Sequence, residues 1–286
     1  MKLESKPLSA GLYFVATPIG TARDITLRGL DILANADLIA AEDTRTARKL
    51  MEIHGVALGQ RQVVAYHDHS GDNIAKRLVD QIAAGKSVAY VSEAGTPLVA
   101  DPGYELGRAV IAAGLDVRAA PGASALLAAL AVAGLPTDRF LFVGFLPSGK
   151  TQRDTEIASL RDLPFTMVFY ESPKRIHEML DSLCEILGPE REIAVCRELT
   201  KKFEDVRRGT IAQVRETFAD QTARGEFVVI VGRGGAVTVE ENDVEAALRE
   251  AMKTMRVKDA ATAVAGALGL QRRQVYQIAL AMEKDT

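Results

Sequence analysis

Two cysteines in 286 residues are too few for a disulfide framework, and Cys184 and Cys196 form no zinc-ligand pattern. They read as ordinary buried thiols. No stretch reaches the ~20 consecutive apolar residues of a membrane span. Met1–Ala10 carries lysines but no apolar core, so it is no secretory signal, and the expected compartment is the cytoplasm. No G-x-G-x-x-G follows the first apolar run, which argues against a Rossmann oxidoreductase; Walker A, H-E-x-x-H and G-x-S-x-G are also missing. His67 and His69 alternate as strand residues do, but two histidines without a third ligand make a poor metal site, and no metal is expected. Charge of either sign is not in excess: 35 basic and 38 acidic residues leave a net −3. That balance excludes a chain coated in basic charge, not a local basic patch.

What is present is globular. The chain is 48% hydrophobic and 26% charged, and its length suits two domains. Short apolar runs at Leu12–Ala16, Leu38–Ala41, Val63–Tyr66 and Ser87–Val91 read as strands. Helical segments follow each: one capped by Thr26, one over 46–54 stopped by Gly55, one over 73–84, and one capped by Asp101 that runs to Gly114. Val117–Ala119 and an apolar alanine–leucine helix to Ala133 complete the series. This alternation predicts a parallel sheet covered on both faces, ending near Leu135–Thr137.

Beyond Arg139 the pattern changes to Phe140–Phe145, Phe165–Tyr170, Glu192–Cys196 and Phe227–Val231, with helices near 150–162, 174–187 and 211–223 and an edge strand over Glu204–Gly209. A second α/β domain with a mixed sheet is expected, then three helices from Val244 onward, loosely of helix-turn-helix type. The expected α/β fold is therefore two α/β domains, 1–136 and 137–238, plus a helical appendage at 239–286.

Small, rigid loops recur at the strand ends: Thr17–Gly20, Ser92–Pro97 and Pro121–Ala125, with polar clusters at Glu42–Arg45 and His67–Ser70. In an open α/β sheet such loops sit at the carboxyl ends of the strands, where ligands bind. Five on one edge describe a cleft.

Taken in order, Val15–Gly20, Ala40–Arg45, His67–His69, Ser92–Gly103, Pro121–Ser124, Phe145–Pro147, Phe169–Ser172 and Arg197–Lys201 resemble the ribosomal RNA small subunit methyltransferase I family, within the tetrapyrrole-methylase superfamily. The likeness covers nearly the whole chain. It departs at Thr21-Ala22, where the family pattern has Asn-Leu, at Glu93, where it has Asp, and at Ala123, where Pro is common. The resemblance implies methyl transfer from S-adenosylmethionine to the ribose 2′-hydroxyl of a cytidine in the decoding region of 16S rRNA. It also implies a homodimer whose two domains enclose the cofactor. The cofactor would contact Pro18, Gly20, Ser92, Glu93, Ala94, Gly95, Thr96, Pro97, Gly122, Ser124, Ala125 and Tyr170.

A sulfonium donor is already activated, so the main demand is alignment, worth up to ~7–11 kcal/mol. The hydroxyl gains from a base, typically ~10²–10⁴-fold. Glu93, His67, Asp68 and Glu198 are candidates, with Asp43 beside them. Arg45, Lys150, Arg153, Lys174, Arg175, Lys201, Lys202, Arg207 and Arg208 supply a candidate phosphate track, with Tyr170 and Phe203 to stack on bases. Arg272 and Arg273 add charge on the tail. The competing readings are a methylase of a tetrapyrrole or modified protein, and a non-catalytic RNA-binding protein of ribosome assembly.

Overall fold

The computed structural model describes residues 6–67, 72–219, 222–234, 241–268, 270 and 272–284. Met1–Arg233 form one compact unit and Gly234–Thr286 a second. The first five strands are β1 (Gly11–Val15), β2 (Leu38–Ala41), β3 (Gln62–Ala65), β4 (Ser87–Val91) and β5 (Val117–Ala120). They make one parallel sheet in the order β3-β2-β4-β1-β5. Between them run α1 (Leu27–Asn35), α2 (Thr44–Ile53), α3 (Asp72–Ala83) and α4 (Tyr104–Ala112), with α5 (Ala125–Ala133) after β5. Side chains alternate across a strand, so β1 sends Leu12 and Phe14 to a core with Tyr90, Leu78 and Leu106. Tyr13 and Val15 go to another core with Leu30, Ile39 and Met51. Covering both faces is what buries the central strands β1 and β4 along their whole length.

The second sheet, in the order β6-β7-β10-β8-β9, uses β6 (Phe140–Phe145), β7 (Thr166–Glu171), β8 (Glu192–Arg197), β9 (Asp205–Thr210) and β10 (Phe227–Val231). It is mixed: β6 and β7 are parallel, while β10 runs antiparallel to both β7 and β8. One face packs on α6 (Lys150–Leu160), α7 (Ile176–Leu187) and α8 (Ile211–Glu216), burying Met167, Phe169, Leu183 and Val229. On the other face Val168, Ala194, Val228 and Ile230 meet Ala129, Leu130 and Ala133 of α5. Helix α5 thus belongs to the first sheet by chain order and to the second by packing. That shared core joins the sheets into one unit.

Three local differences from the sequence reading matter. Helix α2 starts at Thr44, because the Asp43 carboxylate accepts the Arg45 and Thr46 backbone N–H groups. Helix α4 starts at Tyr104 after Gly103, with no side-chain cap, so Asp101 does not cap it. Helix α8 is shorter than 211–223, held at its start by a reciprocal Thr210–Gln213 capping box. The second unit is α9 (Glu241–Ala251), α10 (Val257–Leu268) and α11 (Arg272–Lys284), closed over Val244, Leu248, Ala261, Val264, Val275 and Ala279.

Candidate active site

Because β4, β1 and β5 are neighbours, the loops that follow them lie side by side. Thr17 and Gly95 exchange backbone hydrogen bonds of 2.8 and 3.0 Å, and the Thr96 hydroxyl donates to the Ala123 carbonyl at 2.9 Å. Gly95 sits at φ 81°, a left-handed conformation that a β-carbon makes costly. The second sheet brings up its own edge: antiparallel pairing sets Phe227, at the start of β10, opposite Glu171 and Arg197, at the ends of β7 and β8. Between these two edges lies a cavity of about 320 Å³. Its apolar wall includes Ile19, Val99, Phe145, Leu199, Phe227 and Val228; its polar groups are Thr96, Asp101, Ser124, Tyr170, Glu171, Ser172, Lys201 and Glu226.

The charged groups differ sharply in how they are held. Glu171 is buried and accepts from the Ser172 N–H at 2.7 Å and from Arg175 Nε at 2.9 Å, while Arg175 also donates to the Leu146 carbonyl. Lys201 Nζ lies 2.9 Å from Glu198 and 2.8 Å from Glu226. Asp101 has neither kind of partner: among the described residues no cation pairs with it. Burial pushes its carboxyl up to about 6 against the pull of the Ser92 hydroxyl, and the carboxylates of Glu42 and Glu93 add to the rise. The Ser92 and Thr17 hydroxyls are themselves buried without a hydrogen bond of good geometry. Burial likewise raises the Tyr170 phenol, whose oxygen accepts from the Leu126 N–H at 3.1 Å. Cys196 also lines the cavity, its thiol pushed up to about 11 by burial. It should resist alkylation at pH 8, where only the thiolate reacts; mass spectrometry after iodoacetamide treatment of the folded protein checks this.

Of the residues expected at the cofactor, Ala94, Gly95, Thr96, Ser124, Ala125 and Tyr170 line the cavity. Ser92 is buried behind them, while Pro18, Glu93 and Pro97 lie off the wall. Gly20 and Gly122 are also off the wall and are closely packed. A β-carbon on Gly20 would sit 2.5 Å from Lys201 Cγ and 2.6 Å from Thr200 Oγ1; one on Gly122 would meet Ala16 Cβ at 2.9 Å. At the departure from the family pattern, the Thr21 hydroxyl donates to the Thr200 carbonyl and ties the first loop to the turn after β8.

The candidate bases fare differently. Asp68 lies outside the described residues. His67 is exposed after β3, the outermost strand of the first sheet, and Glu93 is exposed off the cavity wall. Glu198 is engaged by Lys201 and by the Glu226 N–H. The Arg45 guanidinium holds the Asp43 carboxyl down at about 2, and Asp43 is occupied as the cap of α2. Asp101 is the group that the sequence reading missed. Its direction is set by Leu98 (φ 74°) and Ala100 (φ 60°), both in a left-handed conformation that residue type does not announce.

The phosphate track needs a correction. Arg153 is buried and spends its guanidinium on Ser182, the Ser148 carbonyl and Glu178, so it holds α6 to α7 and faces no solvent. Arg175 and Lys201 are committed to the carboxylates above. Arg207 lies 4.4 Å over the Phe218 ring and bonds Asp205 and Thr217; Arg208 donates to the Val132 carbonyl. Lys150 bridges Asp154 and Glu185, and Arg45 pairs with Asp43. Two cations of the expected track are exposed beside the cavity: Lys174, next to the lining residue Pro173, and Lys202, next to Lys201, with its ammonium 5.5 Å from the exposed Phe203 ring.

Residues 11–215 match the family described as Tetrapyrrole (Corrin/Porphyrin) Methylases, and residues 238–283 match an RsmI C-terminal HTH domain. The chain is 43% identical to the ribosomal RNA small subunit methyltransferase I of Mesorhizobium japonicum, over 100% of this chain and 96% of that one. It is 40% identical to the protein of the same name from Halalkalibacterium halodurans, over 93% of each. Among solved structures, the methyltransferase CobJ superposes with a TM-score of 0.60 at 23% identity, covering 79% of this chain and 95% of that one. A uroporphyrin-III C-methyltransferase from Thermus thermophilus, complexed with S-adenosylhomocysteine, gives 0.53 at 22%, covering 78% and 97%. At these identities the structural likeness shows the fold.

Proposed function

The chain belongs to the ribosomal RNA small subunit methyltransferase I family, and from that premise we propose that it methylates 16S rRNA with S-adenosylmethionine, at the ribose 2′-hydroxyl of a cytidine in the decoding region. The observation that carries this reading is the cavity between the two strand edges: apolar over much of its wall, bordered by a backbone that only glycine suits, and containing an unpaired carboxylate. S-adenosylmethionine, when bound, supplies an activated methyl group on a sulfonium. The residues present fit it. Ile19, Val99 and Leu199 offer an apolar seat, Gly95 and Ala94 allow close backbone approach, and Asp101 offers negative charge to a cation. The buried Thr17 hydroxyl, which has no hydrogen-bond partner among the described residues, marks polar capacity that the fold leaves unused at that edge.

The protein's own contribution is alignment and exclusion of water. Paired loops, fixed by the Thr17–Gly95 and Thr96–Ala123 bonds, hold one wall; the Glu171–Arg175 and Lys201–Glu198–Glu226 contacts hold the other. RNA would approach along Lys174, Lys202 and Phe203, where a cation and an exposed ring suit phosphate and an unstacked base. The exposed Arg256, Lys258, Arg272 and Arg273 of the helical unit supply further positive charge. The domain limits 1–136, 137–238 and 239–286, a cytoplasmic setting and a homodimer belong to the same proposal; among the described residues no helix is long and apolar enough to cross a membrane.

Labelled methyl transfer to unmodified small ribosomal subunits, with the product nucleotide mapped, tests the reading. Label on a ribose 2′-oxygen is expected; cofactor binding with no transfer to subunits or RNA would favour the non-catalytic assembly protein. Within the same assay, Phe203→Ala with Lys202→Ala should raise KM for subunits about 10-fold, as loss of one stacked base and one phosphate contact implies. Cofactor affinity should be unchanged by calorimetry.

A further inference from the structure

One basic surface has no counterpart inside the molecule: the outer face of α2. Ala47 and Met51 turn that helix to the core, and Arg45, Arg48 and Lys49 stand exposed ahead of its one acid, Glu52. This order does nothing for the helix. No acid occupies the first turn, where the positive end of the helix dipole repels cations, and Arg45 and Lys49 are like charges at i, i+4. Asp43 answers Arg45. Arg48 and Lys49 have no acid within ion-pairing distance among the described residues, and neither does the exposed Arg23.

The fold ties both ends of this helix to the loops that wall the cavity. The Glu93 N–H donates to Glu42 at 3.0 Å, which holds the start of α2 to the loop after β4. His54 Nε2 donates to the Ala22 carbonyl at 2.8 Å, which holds its end to the loop after β1. Those loops supply Ala94, Gly95, Thr96 and Ile19 to the cavity wall. Arg23 follows Ala22 in a single turn of 3-10 helix, and the neighbouring Thr21 is bonded to Thr200, two residues before Lys202. Positive charge thus continues from α2 through Arg23 to Lys202 and Phe203.

We infer that Arg48, Lys49 and Arg23 bind phosphates of the RNA strand that carries the acceptor nucleotide, on the first sheet's side of the cavity mouth. The inference rests on the proposed methyl transfer to rRNA and names a second surface that takes the substrate. A chain of net charge −3 draws no polyanion by its overall field, so attraction to phosphate has to be local. Lys174, Lys202 and Phe203 alone would leave the strand free to pivot about one side of the mouth. Phosphate contacts on both sides fix its path across the cavity. Alignment of the hydroxyl with the methyl group requires that fixed path.

Arg48→Gln with Lys49→Gln removes the two helix cations and keeps good helix formers on an exposed face. Filter binding of labelled small subunits, and separately of protein-free 16S rRNA, gives Kd across a salt series. The double variant should bind both about 10-fold more weakly at low salt. The slope of log Kd against log salt should be less steep by about 1.4, from two single-strand phosphate contacts at ~0.7 each. Arg23→Gln alone should remove about 0.7. The control is Lys76→Gln with Arg77→Gln, the same change of net charge on exposed positions of α3, which packs on the sheet's other face. Its affinity and slope should match wild type. Unchanged affinity and slope in the α2 variant overturn the inference. So does an equal loss in the α3 control, which would make overall charge the cause. Weaker binding to subunits with unchanged binding to protein-free RNA also overturns it, since α2 would then meet a ribosomal protein. The proposed function fails separately: wild type that binds RNA with these slopes, yet transfers no methyl group, would keep this surface and make the chain an RNA-binding assembly protein.

Discussion

Arg175→Leu is expected to destabilise the protein by about 3–5 kcal/mol, because it strands the buried Glu171 carboxylate without its cation. Glu171 side-chain exposure is only 1%, against 24% for Arg175, so water cannot take over the guanidinium's place. The loss extends to the cavity, since Glu171, Ser172 and Pro173 form part of its wall and Arg175 also anchors the Leu146 carbonyl. Glu171→Met combined with Arg175→Met should recover a large part of the loss, because a buried pair replaced by apolar groups is often near neutral. Urea unfolding of wild type, each single variant and the pair gives the coupling energy. Equal stability of Arg175→Leu and wild type would show that Glu171 is solvated, and the rigid-wall account of the site would fail.

Gly95→Val is expected to weaken S-adenosylmethionine binding on the order of 30-fold, read by calorimetry. Two effects act together. A β-branched residue at φ 81° costs about 1–3 kcal/mol of backbone strain. The new side chain would also start 3.4 Å from Ile19 Cγ2, and both residues line the cavity. Gly114→Val separates the effects. Gly114 has φ 71° and open space around its missing β-carbon, so it incurs the backbone cost alone. It should lower the melting temperature while leaving cofactor affinity unchanged. Similar affinities for the two valine variants would remove Gly95 from the cofactor's reach.

How far the site could be read from residues follows from which of its features are local. Apolar runs and the glycines and prolines after β1, β4 and β5 mark strand ends, since backbone conformation depends on near neighbours. The loops that hold Ala94, Gly95, Thr96, Ser124 and Ala125 could therefore be placed on one edge, while their cofactor role, and that of Tyr170, came from the resemblance. Charge could not be handled this way. Arg153 and Lys202 are both basic residues of the second sheet's region, yet one is buried against Ser182 and Glu178 and the other is exposed beside Phe203.

The alternation of apolar runs with helical segments, the change of pattern after Arg139 and the motif order were enough, by themselves, to determine two α/β layers with a helical tail, and to determine the family. Short-range propensity and burial periodicity suffice for the layers, and the resemblance of the ordered motifs for the family. Only the tertiary structure decided that α5 packs on the second sheet, that Gly20 and Gly122 are closely packed, and that Asp101 faces the cavity instead of capping α4. Each of these depends on atoms brought together from distant parts of the chain, or on a left-handed turn at Leu98 and Ala100 that the surrounding contacts impose against local preference.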